Sequence, residues 1–91
     1  MNRAAQITEL ESRVRNVLTE VLAGKILPEQ VTMDADMVQE LGLDSLQAIQ
    51  FLLRVEDEFD VELDYENLRL DHLRSVRFFT VEVLMPLVRE Q

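Results

Sequence analysis

The sequence predicts an all-α fold: a small four-helix bundle of three main helices plus one short helix, with a long first loop. Two observations carry this expectation. Apolar residues recur at three- and four-residue steps in three stretches, the spacing of a helix that buries one face. Only two glycines and two prolines occur in 91 residues, too few for the many turns of an all-β fold. A chain of this length is expected to form a single domain over residues 1–91 and to hold a compact core without staples.

Ile7, Leu10, Val14, Val17, Leu18, Val21 and Leu22 mark the inner face of the first helix. Thr8 and Glu11 have capping-box spacing near its start, although the helix has room to begin earlier. Gly24 and Pro28 are expected to end it. Residues 24–43 then form a connection long enough to suggest a functional role. Leu27, Val31, Met33, Met37, Val38, Leu41 and Leu43 give it apolar anchors. A short helical turn is expected over residues 37–41, closed by Gly42. The second helix should run from Ser45 to about Phe59, with Asp44 or Ser45 as N-cap and Gln47 in the first turn. A short third helix is expected between residues 65 and 73. Ser75 caps a last helix carrying Val76, Phe79, Val83, Leu84, Leu87 and Val88, and Pro86 must bend that helix or end it near Met85.

No cysteine is present, which excludes disulfides and thiolate metal sites and suits a reducing, cytoplasmic setting. No apolar run approaches the length of a membrane span. The amino terminus lacks the apolar core of a signal peptide, so the mature protein is expected to start near Met1. The net charge is −9, and residues 34–71 hold the whole excess, with twelve acids against Arg54 and Arg69. Such a field disfavours nucleic acid and anionic membrane and favours partners with basic surfaces. A solvated face that keeps the protein soluble would give the same composition.

On a helical wheel at about 100° per residue, the second helix has two apolar stripes. Ala48, Phe51, Leu52, Val55 and Phe59 suffice for a core. Leu46, Ile49 and Leu53 form another, about a third of a turn away. Gln47, Gln50, Arg54, Asp57 and Glu58 take the polar side. The second stripe is either more core, packed on the long connection, or an exposed patch where another protein docks. For Ile49 and Leu53 the two readings stand level. For Leu46, in the first turn beside Ser45, docking is favoured.

Ser45 has the place of a functional residue without the means of a catalytic one. A nucleophilic serine needs a base and oxyanion donors. The one histidine, His72, lies in a charged stretch where surface decoration is the usual fate, and no Gly-x-Ser-x-Gly elbow surrounds Ser45. The segment "DADMVQELGLDS" matches an EF-hand loop only in its first acids and lacks the central glycine and closing glutamate. What remains is a serine that is acted upon. A phosphodiester on its hydroxyl would suit a helix N-terminus, although an ordinary N-cap needs no such group.

The longer string decides between these. "ELGLDSLQAIQFLLRVEDEFDVEL" resembles the acyl carrier and peptidyl carrier proteins, which carry 4′-phosphopantetheine on the serine of a Gly-x-Asp-Ser-Leu motif opening their second helix. The motif here is Gly42-Leu43-Asp44-Ser45-Leu46. The likeness continues through Glu56-Asp57-Glu58-Phe59-Asp60 to Leu63 and, more diffusely, over nearly the whole chain. It implies an acyl-carrier-like bundle, monomeric and without enzymatic activity of its own. A phosphopantetheinyl transferase would move the phosphopantetheine of coenzyme A onto Ser45, making a phosphoprotein. The arm's thiol would hold acyl, aminoacyl or peptidyl groups as thioesters. Asp44 would lie beside the transferase's metal. Leu46, with Gln47, Ile49, Gln50, Leu53, Arg54 and Asp57, would dock a loading ligase and downstream synthase or transferase enzymes with basic surfaces.

Two departures matter. Fatty acid synthase carriers usually place acids two and five residues after the modified serine, where this chain has Gln47 and Gln50. The resemblance therefore implies a dedicated carrier of polyketide, nonribosomal peptide or related biosynthesis in preference to fatty acid biosynthesis. Asp44 leans towards acyl carriers, since many peptidyl carriers have histidine there. Met33, Met37 and the Phe78–Phe79 pair are candidates to line a cargo chain, with plain core as the commoner role. The alternative function is an acidic helical interaction module that is never modified.

Overall fold

The computed structural model describes residues 3–23 and 25–89. Gly24, expected to stop the first helix, lies outside the described residues. Three helices make the body: α1 (Arg3–Val21), α2 (Ser45–Phe59) and α3 (residues 76–89). Two short 3₁₀ turns, Pro28–Gln30 and Leu70–Leu73, lie in the connections, and no strand occurs among the described residues. The all-α bundle expected from periodicity is what forms.

One apolar cluster joins the three helices. Leu10, Val14 and Leu18 of α1, Phe51, Val55 and Phe59 of α2, and Val76, Phe79 and Leu84 of α3 are buried together. The rings of Phe51 and Phe79 lie 5.2 Å apart at a 60° tilt, a geometry in which ring edge meets ring face. Met37 and Phe79 are fully buried, and Met33 and Phe78 half-buried. No described helix is long and apolar enough to cross a membrane.

Several local expectations need correction. Thr8 does not cap α1, whose described start is Arg3; its Oγ1 donates to the Ala4 carbonyl one turn back, at 2.9 Å. Glu11 is buried and accepts from Arg77 Nε of α3 at 3.1 Å. Capping-box spacing recurs by chance within helices. The short third helix is a single 3₁₀ turn, Leu70–Leu73, preceded by a turn at residues 65–67. His72 is more than decoration: it is half-buried, its Nδ1 accepts from the Arg69 N–H at 2.9 Å, and its ring stacks on Phe78.

Pro86 does not end the last helix. The segments Val76–Phe79, Thr80–Leu84 and Met85–Arg89 run on without a break, the middle one in π geometry. The Met85 N–H reaches back five residues, to the Thr80 carbonyl. A proline inside a regular α-helix removes one bond and strikes the carbonyl four residues before it. The widened π turn directly upstream shifts that register, so the ring is accommodated and the helix continues.

The connection between α1 and α2 is fixed by side-chain anchors and by two backbone crossties. Val31, Ala35, Met37 and Leu43 are buried. The Arg77 N–H donates to the Met33 carbonyl at 3.0 Å, and the Met37 N–H to the Leu73 carbonyl at 3.1 Å. The long loop is thereby bound to the start of α3, which settles where it delivers Ser45.

Candidate functional site

The approach to α2 is one well-defined turn. Asp36 Oδ1 accepts from the Val38 and Gln39 N–H groups at 2.9 and 2.8 Å, and its carbonyl accepts from Glu40 and Leu41 at 2.9 and 3.1 Å. The turn expected over residues 37–41 is present but does not lengthen into a helix. Gly42 ends it at φ +76°, a left-handed conformation that costs a residue with a Cβ about 1–2 kcal/mol. Leu43 then donates to the Met37 carbonyl at 3.0 Å and buries its side chain.

Asp44 is the N-cap. Its Oδ1 accepts from the Gln47 N–H at 2.8 Å, and the Asp44 N–H donates to Gln47 Oε1 at 3.2 Å. This reciprocal box makes Gln47 part of the helix start as well as of its outer surface. Ser45 is the first helical residue and is exposed. No hydrogen-bond partner of its hydroxyl is found among the described residues. It therefore stands free at the positive end of a fifteen-residue helix, where unpaired first-turn N–H groups favour a bound anion. A phosphodiester fits this position: the Ser45 oxygen is reachable and lies at the positive end of the helix, beside the Asp44 cap.

The second apolar stripe of α2 is uncovered. Leu46, Ile49 and Leu53 are 66%, 55% and 52% exposed, while Phe51 and Val55 are fully buried. The long connection leaves Ile49 and Leu53 uncovered, so neither is core. Gln50 and Asp57 are exposed as well. Arg54 is also exposed, but it forms an ion pair with Glu20 of α1. Its charge is thus offset by a residue 34 positions away. Nothing local in the sequence announces that partner.

A neighbouring cleft was not foreseen. Leu52, Tyr65, Leu68, Arg69, Leu70 and Leu73 line a largely apolar space of about 270 Å³ between α2 and the segment that follows it. Leu70 and Tyr65 are 70% and 50% exposed. Tyr65 Oη donates to Glu56 Oε1 at 2.8 Å. Partial burial of the phenol, and then the hydrogen bond and the charge of Glu56, push it from 10.0 up to about 12. Among the described residues no group of three or more His, Asp or Glu side chains is placed to hold a metal ion.

The turn and the cap leave the Ser45 hydroxyl exposed, with no hydrogen-bonded base among the described residues. Such a serine is suited to be derivatised. A family model described as the phosphopantetheine attachment site matches residues 12–77 of the 91, from the middle of α1 to the start of α3. The chain belongs to the phosphopantetheine-attachment family: it is a carrier protein whose cofactor is covalently attached 4′-phosphopantetheine.

Proposed function

We propose that Ser45 is the attachment residue and that the protein holds acyl, aminoacyl or peptidyl intermediates for delivery to partner enzymes of polyketide, nonribosomal peptide or related biosynthesis. The observation that carries this reading is the free Ser45 hydroxyl at the capped start of α2, within Gly42-Leu43-Asp44-Ser45-Leu46. In the transferase reaction Ser45 Oγ forms the new P–O bond. The diphosphate linkage of coenzyme A breaks, adenosine 3′,5′-bisphosphate leaves, and the serine proton passes to a base of the transferase. When bound, the arm supplies a mobile thiol that carries cargo as a thioester.

The roles of the remaining residues follow from their places. Asp44 lies next to Ser45, where a transferase-bound metal would meet a carboxylate. Leu46, Ile49 and Leu53 give the apolar contact for loading ligases and downstream enzymes, with Gln47, Gln50 and Asp57 at its border. Arg54 stands at the far edge, its charge offset by Glu20. The first two turns of α2 bear no acid after Asp44. That supports partners of a specialised pathway over enzymes that read an acidic face.

The test is intact mass before and after incubation with coenzyme A and a broad-specificity phosphopantetheinyl transferase. Wild type is expected to gain one phosphopantetheine, and Ser45→Ala none. Equal gain in both would move the attachment to another residue. A folded wild type that gains nothing would favour an unmodified interaction module.

A further inference from the structure

Building on the reading of Ser45 as the anchor, we infer that Asp36 is the positioning residue that holds the attachment segment in the form a transferase can engage. Between the Met37 crosstie and the start of α2 the chain has no regular helix or strand. Its path therefore depends on individual bonds. The Met37 N–H is fastened to the Leu73 carbonyl, and its side chain is fully buried. From that fixed point six residues lead to Leu43, which bonds back to the Met37 carbonyl.

Asp36 closes the turn between them. One carboxylate oxygen takes two successive N–H groups, Val38 and Gln39. No other side-chain hydrogen bond holds residues 37–43 among the described residues. The buried side chains of Met37 and Leu43 keep the ends of the turn in the core. Between them the Asp36 carbonyl takes the Glu40 and Leu41 N–H groups, and Val38 and Leu41 rest on the core. The Asp36 carboxylate completes the turn and with it the approach of Asp44 and Ser45. That half-buried carboxylate has no ion pair among the described residues, so its role is geometric.

Without this acceptor the turn samples other forms, and only a fraction of molecules present Ser45 correctly. A transferase selecting that fraction shows a raised KM with kcat kept, because the apparent affinity falls by the competent fraction. Losing one carboxylate cap of this kind corresponds to about a fivefold change in an equilibrium.

The experiment measures transferase-catalysed loading against carrier concentration for wild type, Asp36→Ala, Asp36→Asn, Asp36→Glu and Asp34→Ala, with Ser45→Ala as control. Asp36→Ala is expected to raise KM, by up to about fivefold according to how much of the wild-type ensemble is already competent, with kcat within about twofold of wild type. Asp36→Asn keeps an acceptor oxygen at the same reach and restores wild-type KM. Asp36→Glu keeps the charge but displaces the oxygen, so its KM rises; it carries the comparison if the alanine variant does not fold. Asp34→Ala removes the same charge from the same loop, where the side chain is 84% exposed, and leaves KM unchanged.

Amide exchange on the unmodified proteins gives a readout without the transferase. Val38 and Gln39 should exchange faster in Asp36→Ala and Asp36→Glu, with the α2 amides unaltered. A wild-type KM in both variants, or equal rises in Asp36→Asn and Asp34→Ala, would overturn the positioning role. Mass gain by Ser45→Ala would instead overturn Ser45 as the anchor, so the two failures are distinct.

Discussion

The two halves of α2 share an inner face and differ on the outside. In the second half nearly every turn is braced. Arg54 pairs with Glu20, and Glu58 accepts from Arg13 at 2.9 Å while the Arg13 guanidinium lies 4.3 Å from the Phe59 ring centre. Glu56 takes the Leu63 N–H at 2.9 Å and the Tyr65 hydroxyl at 2.8 Å. In the first half Leu46, Ile49 and Gln50 project outward without such ties, and only the inner residues are held. This fold leaves α2 uncovered outside where the helix is held from within. The end that carries Ser45 is anchored from beneath by Phe51 and from upstream by the Asp36 turn, and its outer face is left uncovered.

The sharpest way to break the contrast is to remove the inner anchor. Phe51→Ala is expected to cost about 3–5 kcal/mol, since the side chain is fully buried against Phe79. Urea unfolding would read it, and loading of Ser45 should fall because the whole helix loosens. Bracing of the second half is worth less. Arg13→Ala should cost about 1 kcal/mol, part ion pair and part cation–π contact, with the ionic share fading in high salt. Ile49→Ala should change stability by less than about 0.5 kcal/mol and yet slow transfer between the loaded carrier and its partner enzymes. A stability loss as large as that of Phe51→Ala would mean that the outer stripe is core after all.

The smallest effect shows mainly in alkaline solution. Tyr65 titrates at about 12 in the fold against an ordinary 10.0, so the unfolded chain loses this proton first. The stability Tyr65 contributes is whole below about pH 10 and drains away as pH rises to about 12. Tyr65→Phe should flatten that part of the alkaline decline and lower neutral stability slightly, by the lost hydrogen bond to Glu56. Tyr65 is the one tyrosine, so phenolate absorbance follows it directly.

Much of this architecture was legible because it is local. Three- and four-residue spacing places all three helices and narrows the N-cap of α2 to Asp44 or Ser45, between which the reciprocal Asp44–Gln47 bonds decide. Gly42 announced the end of the turn before it. What the sequence withheld is long-range or depends on register. A helical wheel gives the angle of Leu53 but not whether the loop covers it. Arg54 read as a charge on the docking side until Glu20 was found beside it. The Thr8–Glu11 pair has the right spacing for a cap, yet spacing does not reveal that Glu11 faces Arg77 in the interior. For Pro86 the proline rule offers a bend or an end because it assumes α register, and the π turn of Thr80–Leu84 suspends that assumption.

That π turn also bears on how the chain can change length. A single π turn amounts to an α-helix holding one surplus residue, with the helix on either side in its former phase. Deleting one residue within 80–84 would therefore leave Phe79 and Leu87 facing the directions they face now, whereas a deletion elsewhere in α3 would swing everything beyond it by about 100°. Pro86 would then meet an ordinary α-helical carbonyl and bend or end the helix. The surplus residue and the proline are thus mutually dependent, and a shortened α3 would be expected to need both replaced together.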